Sequence, residues 1–79
     1  MADKTKAELW AIYEDVGDFH EGLAMARNRG KEFHIRPDGT PAYEQRYDAV
    51  GNFSEGMAIA RDNGKSFYIR SDGTRIQPK

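Results

Sequence analysis

The sequence predicts an all-β protein. It reads as two tandem 34-residue units of short antiparallel strands, arranged as hairpins or a meander, with a short N-terminal helix ahead of them. Three observations predict this. Shifting the chain by 34 positions aligns residues 13–45 with residues 47–79, and 17 of the 33 pairs are identical. Repetition at a period of roughly 20–50 residues marks a solenoid, propeller or array, in which each unit hides its apolar face against the next. Each unit also crowds glycine turn signals into a short span: Asn63-Gly64, Asp38-Gly39 and Asp72-Gly73 are favoured pairs for two-residue hairpin loops. Between the turns lie runs such as Lys65–Arg70, whose Phe67, Tyr68 and Ile69 favour extended backbone. A period of 34 also suits helical hairpins, and Glu21–Arg27 is rich in helix formers. The turn glycines leave too little room for two helices per unit.

The elements follow in chain order. Residues 1–12 form an N-terminal cap segment, residues 13–46 the first unit and residues 47–79 the second, within one small domain. Thr5 and Glu8 match a capping box, and Leu9 and Ile12 follow at helical spacing. The helix therefore offers Leu9 or Trp10 to cover the end of the first unit, as terminal covers do in repeat proteins. Tyr13–Val16 and Tyr47–Val50 read as brief strands ended by glycine, and Glu21-Gly22 and Glu55-Gly56 turn the chain into the strands that follow.

A two-residue loop at Asn63-Gly64 sets a register. It places Asp62 opposite Lys65, Arg61 opposite Ser66, Ala60 opposite Phe67, Ile59 opposite Tyr68, Ala58 opposite Ile69 and Met57 opposite Arg70. One face then carries Ala58, Ala60, Phe67 and Ile69, matched in the first unit by Ala24, Ala26, Phe33 and Ile35. Small opposite large is what a close-packed core needs. The other face is mixed: Leu23, Met25, Arg27, Glu32, His34 and Arg36, then Met57, Ile59, Arg61, Ser66, Tyr68 and Arg70. Arg27 opposite Glu32 makes a cross-strand ion pair, worth about a few tenths of a kcal/mol when exposed. Thr40–Tyr43 and Thr74–Ile76 read as strands leaving the Asp-Gly turns, with Pro41 suited to an edge.

The segments Phe19–Gly39 and Phe53–Gly73 resemble the WG-type repeats of bacterial proteins. They share Phe-x-Glu-Gly followed by a small apolar strand, then Gly-Lys, an aromatic-Ile stretch and Asp-Gly. The resemblance covers nearly everything after residue 12. It implies short antiparallel strands in tandem, often in many copies, with no general activity attached. Where those repeats usually carry Trp-Gly after Gly-Lys, this chain has Glu32-Phe33 and Ser66-Phe67. The usual tryptophan packing between units is therefore replaced by something else.

Composition excludes several classes. Seventy-nine residues make one domain near the lower limit for a single core. Twelve Lys and Arg against thirteen Asp and Glu leave a net charge of −1, without the cationic excess that nucleic-acid phosphates require. There is no cysteine, so neither a disulfide nor a thiolate metal site is expected. No apolar run approaches a membrane span and no signal-peptide core is present, which leads to an expectation of a cytoplasmic protein. His20 and His34 are replaced by Ser54 and Tyr68 in the second copy, so both read as surface histidines and not as metal ligands. The Asp-Gly pairs lack the alternating acidic ligands of a calcium loop, and no nucleophile elbow or phosphate-binding glycine spacing occurs. No cofactor is expected.

The remaining candidate is a face. Arg27, His34, Arg36, Arg61, Tyr68 and Arg70 interleave guanidinium and aromatic groups on one side of the expected sheets. Such a surface suits a carboxylate, a phosphate or an acidic segment of a partner. The alternative is a solvated face whose arginines pair with neighbouring carboxylates. The leading expectation is a non-enzymatic tandem-repeat module for interaction or self-assembly, and the alternative is a small-ligand or carbohydrate-binding protein using the aromatic and arginine face. Two units are fewer than the three or so that normally stabilise an array. The expected partner is therefore a second copy, in a homodimer or larger closed oligomer, or another protein. The abrupt ends equally suit an excerpt or engineered derivative of a longer array.

Overall fold

A computed structural model of the protein describes residues 3–76. Residues 77–79 of the expected second unit, and residues 1 and 2 of the cap segment, lie outside the described residues. The chain is all-β with one short helix. Helix α1 (Lys6–Ile12) is followed by β1 (Asp15–His20), β2 (Leu23–Asn28), β3 (Lys31–Ile35), β4 (Ala49–Val50), β5 (Ala58–Asp62) and β6 (Lys65–Ile69). The strands form two antiparallel three-stranded sheets, in the orders β1-β2-β3 and β4-β5-β6.

The helix starts at the expected capping box. The Thr5 hydroxyl accepts from the Glu8 amide at 3.2 Å, and the Glu8 carboxylate accepts from the Thr5 amide at 2.7 Å. Of the two candidates for the covering residue, Leu9 is buried and Trp10 lies 53% exposed.

The second hairpin has the expected register from Asp62–Lys65 to Ala58–Ile69, and the first repeats it from Asn28–Lys31 to Ala24–Ile35. Both loops take the two left-handed residues a type I′ turn requires: Arg29 and Gly30 have φ of 55° and 77°, Asn63 and Gly64 of 52° and 77°. Glu21-Gly22 and Glu55-Gly56 turn the chain in the same way.

Two expectations about chain direction change. The Asp-Gly turns are shifted by one residue. Gly39 N–H bonds the Arg36 carbonyl at 2.9 Å and Arg36 N–H bonds the Thr40 carbonyl at 2.9 Å, so Pro37 and Asp38 are the central residues and Gly39 is a left-handed bulge. In both units the aspartate carboxylate accepts the amide and hydroxyl of the threonine two residues on, Asp38 from Thr40 and Asp72 from Thr74, which places the aspartate inside the turn. Pro37 suits the first central position of a type I turn, and Ser71 stands there in the second unit. In addition, β1 does not end at Gly17. It continues to His20 through a register shift between Val16 and Phe19, a bulge that the glycine accommodates. The strands expected after the Asp-Gly turns reduce to single bridges, Ile35 to Pro41 and Ile69 to Arg75.

One core runs through both sheets: Leu9, Val16, Ala24, Ala26, Phe33 and Ile35, then Tyr43, Tyr47, Phe53, Ala58, Ala60 and Ile69. The expected small-against-large face is all buried except Phe67, which is half-buried. Each fully buried large side chain contributes about 1.5–3 kcal/mol. Each unit also latches its own last turn with its first tyrosine. The Tyr13 hydroxyl donates to the Gly39 carbonyl and the Tyr47 hydroxyl to that of Gly73, both at 2.7 Å.

Candidate functional site

The six residues of the expected binding face do not converge. The Arg36 guanidinium donates to the Pro41 carbonyl at 2.8 Å and to the Thr40 hydroxyl at 3.3 Å, fastening its own turn. Arg70 does the same with the Arg75 carbonyl at 3.2 Å and the Thr74 hydroxyl at 3.4 Å. Arg27 donates to Glu32 at 2.6 Å. Arg61 and Tyr68 are exposed, Tyr68 at 53%. His34, expected at the surface, is fully buried, whereas His20 is exposed.

The burial of His34 reveals the joint between the units. Its Nε2 lies 2.7 Å from the Gly51 carbonyl and its Nδ1 lies 2.6 Å from the Tyr43 hydroxyl. A carbonyl only accepts, so Nε2 carries the proton, and the Nδ1 lone pair accepts from the tyrosine. The neutral ring is thereby fully satisfied. Burial, opposed by the Gly51 bond and the Glu32 charge, lowers the imidazole pKa below its ordinary 6.5. Burial likewise pushes the Tyr43 phenol well above its ordinary range. Phe53 packs edge-on against the ring at 4.4 Å between centroids.

Glu32 is the second joint residue. It pairs with Tyr47 across the units through two backbone bonds of 2.8 and 3.0 Å. Its carboxylate takes the Val50 amide on one oxygen at 2.9 Å and Arg27 on the other. Glu32 is buried while Arg27 stays exposed, so the expected ion pair is anchored in the joint at its carboxylate end only. Lys31 bonds Asp48 at 2.5 Å, and the Glu21 carboxylate accepts the Glu55 and Gly56 amides at 2.5 and 2.8 Å. These last bonds join the same turn in consecutive units.

Both ends of the two-unit stack can be compared with this joint. At the start of unit 1, Tyr13 N–H bonds the Leu9 carbonyl at 3.0 Å, where Tyr47 N–H uses that of Glu32. Lys6 Nζ donates to the Gly17 carbonyl at 2.9 Å, where His34 serves Gly51. The Val16 amide bonds the Asp15 side chain at 2.9 Å, where Val50 uses Glu32. A side chain added at Gly39 would meet Lys4 and Leu9, whereas one at Gly73 would meet Tyr43 and Gln45. The N-terminal segment thus occupies the place of a preceding unit.

The far end has no such cover among the described residues. Ser66 stands in place of Glu32 and Tyr68 in place of His34, and both are exposed. By the shared register, Ser66 turns its backbone N–H and C=O toward the open side of β6. Ile59 and Met57 lie 42% and 36% exposed beside Tyr68. One substitute is present: Arg75 stacks over Phe67 at 3.7 Å, as Arg46 stacks over Phe33 at 3.9 Å.

Among the described residues, no group of three or more His, Cys, Asp or Glu side chains is placed to hold a metal ion. No helix of the described residues is long and apolar enough to cross a membrane.

The joint and its open copy define a tandem β-repeat protein. The family model of the WG containing repeat matches residues 11–31 and 35–65, more than half of the chain, and the protein belongs to that family. The two matched stretches are phased differently from the 34-residue units, the second beginning at the last residue of β3. Comparison with curated proteins and with solved structures returned no match.

The joint was missed in the sequence because it sits on a face that looks mixed and solvated in either unit alone. A signal was present. His34 against Tyr68 and Glu32 against Ser66 are two of the 16 aligned positions, out of 33, at which the copies differ, and both fall on the outward face of one strand.

Proposed function

We propose that this chain is a non-catalytic interaction module that associates with a second copy of itself through the open end of unit 2. The observation that carries this reading is the repetition of the joint. The positions by which unit 1 holds unit 2, Glu21, Glu32 and His34, recur on unit 2 as Glu55, Ser66 and Tyr68, and there they meet solvent beside the exposed Ile59. An uncovered strand edge beside an apolar patch is a template for pairing. The net charge of −1 opposes association only weakly. Cytoplasmic location is part of the same proposal, and fractionation of expressing cells checks it.

The test is a dilution series followed by amide resonances. Concentration-dependent shifts at Met57, Ile59, Ser66 and Tyr68, with α1 silent, are expected. Spectra that stay superimposable from micromolar to millimolar protein would sink the proposal.

The small-ligand reading loses support from the geometry, since His34 is buried and the Arg36 and Arg70 side chains are engaged by their own turns.

A further inference from the structure

We infer that the cleft between Glu55 and Tyr68 is a docking site for the Phe19-His20-Glu21-Gly22 turn of a second copy, so that copies join head to tail. This rests on the self-association proposed above and states which surfaces meet.

The joint inside the chain supplies the template for the turn contact alone, because α1 and Lys6 already hold at Tyr13 and Gly17 the places that Glu32 and His34 hold at Tyr47 and Gly51. There, unit 1 receives the Phe53-Ser54-Glu55-Gly56 turn of unit 2. The Phe53 ring is buried against His34, and the Glu21 carboxylate takes the two turn amides. Shifting the receiving residues by 34 gives Tyr68 for His34 and Glu55 for Glu21. These two line a cleft at the open end together with Asn52, Ser54, Met57 and Ile59. Tyr68 offers an aromatic face for a phenylalanine. The Glu55 carboxylate has no partner among the described residues and stands where Glu21 grips its amides. A carboxylate receiving two amides makes charge-assisted bonds that neither a serine nor a free apolar patch can supply.

The head of a second copy carries the matching ligand. Phe19 is the counterpart of Phe53, yet it lies 37% exposed where Phe53 lies 3% exposed. Glu21 and Gly22 form the same left-handed turn, with φ of 54° and 81° against 54° and 80° in unit 2. Their backbone amides meet no partner among the described residues. Helix α1 has taken the other half of this end, at Tyr13 and Gly17, and leaves the Phe-x-Glu-Gly turn uncovered. The contact is heterologous: it uses different surfaces on the two copies, and it chains copies together unless the rotation closes a ring.

Complementation between two full-length variants tests it. Phe19→Ser disables the head and Tyr68→Ser combined with Glu55→Gln disables the tail; all three positions are exposed. Sedimentation of each variant alone is expected to give a monomer, and an equimolar mixture to form a 1:1 dimer, because one intact head then meets one intact tail. If the Phe19→Ser protein associates as the wild type does, head-to-tail docking is overturned while self-association stands. A wild-type protein that stays monomeric throughout removes the self-association itself. A peptide of residues 47–56, which presents the same turn without a helix, gives a readout independent of how either variant folds. It is expected to shift the resonances of Glu55, Ile59 and Tyr68 saturably, and replacing its phenylalanine by alanine to weaken binding by about tenfold. Absence of shifts, or shifts indifferent to that phenylalanine, would overturn the docking site.

Discussion

Acidifying the protein through the histidine range is expected to loosen the joint between the units, and His34 sets the size of the effect. The imidazole is fully buried, donates to the Gly51 carbonyl and accepts from Tyr43, so the folded state holds it neutral. Its folded pKa lies below the ordinary 6.5, chiefly through burial. Between the two values the unfolded chain binds more protons than the folded one, so stability is complete above 6.5 and falls as the pH drops toward the folded pKa. For a ring that stays neutral in the folded state, about one pH unit below the unfolded value costs roughly 1.4 kcal/mol. With an unfolding entropy of about 2.1 cal/mol/K per residue, this corresponds to a melting temperature lower by about 8 °C at most. Thermal unfolding followed by near-ultraviolet circular dichroism at about pH 7.5 and about pH 5.5 measures it. His34→Leu provides the control. It strands the Gly51 carbonyl and the Tyr43 hydroxyl at a cost of about 1–3 kcal/mol at every pH, and it abolishes the dependence in this window. Asp38, Asp48 and Asp72 do not interfere: hydrogen bonds hold their pKa values below 3.8, so what they contribute is lost only under stronger acid. A wild-type protein whose melting point is flat across the histidine range, or a His34→Leu protein that keeps the slope, would refute the assignment of a buried neutral ring.

Three further outcomes follow from the same packing. Glu32→Ala leaves the Val50 amide without its carboxylate and is expected to cost about 1–3 kcal/mol in urea unfolding, whereas Ser66→Ala at the open equivalent costs less than about 0.5 kcal/mol; equal effects at the two sites would contradict a one-sided joint. Leu9→Ala is expected to cost about 2–4 kcal/mol and Trp10→Ala almost nothing, since only Leu9 is buried under the N-terminal segment; the reverse order would mean that the helix sits with another face inward. Gly22→Ala and Gly73→Ala share the left-handed strain, about 1 kcal/mol, but only at Gly73 would the new methyl fall 2.5 Å from the Tyr43 ring. The Gly73 variant is therefore expected to melt lower by a further amount of about 1–3 kcal/mol, and melting curves that coincide would count against Tyr43 packing there.

The hairpins were legible because local chemistry decides them. Asn63-Gly64 fixes a type I′ turn, the turn fixes the register, and the register sorts Ala58, Ala60 and Ile69 inward. The capping box at Thr5 and Glu8 was equally local. What escaped was whatever depends on a second unit. His34 and Glu32 alternate outward along β3 as a solvated face should, and only the arrival of Gly51, Phe53 and Val50 from 17 or more residues away buries them. The Asp-Gly turns were misplaced by one residue because the Asp38 and Asp72 carboxylates each accept the amide and hydroxyl of the threonine two residues on, which draws the aspartate into the centre of the turn. The expected Arg and aromatic face dissolved for a related reason: Arg36 and Arg70 find carbonyl partners five or six residues away on their own turns.

The most direct measurement is sedimentation equilibrium of the unmodified chain across a wide range of concentration. The open end of unit 2 exposes the positions through which unit 1 already holds unit 2, so the apparent mass is expected to exceed 9.0 kDa and to climb with concentration. A mass fixed at 9.0 kDa up to hundreds of micromolar would contradict it.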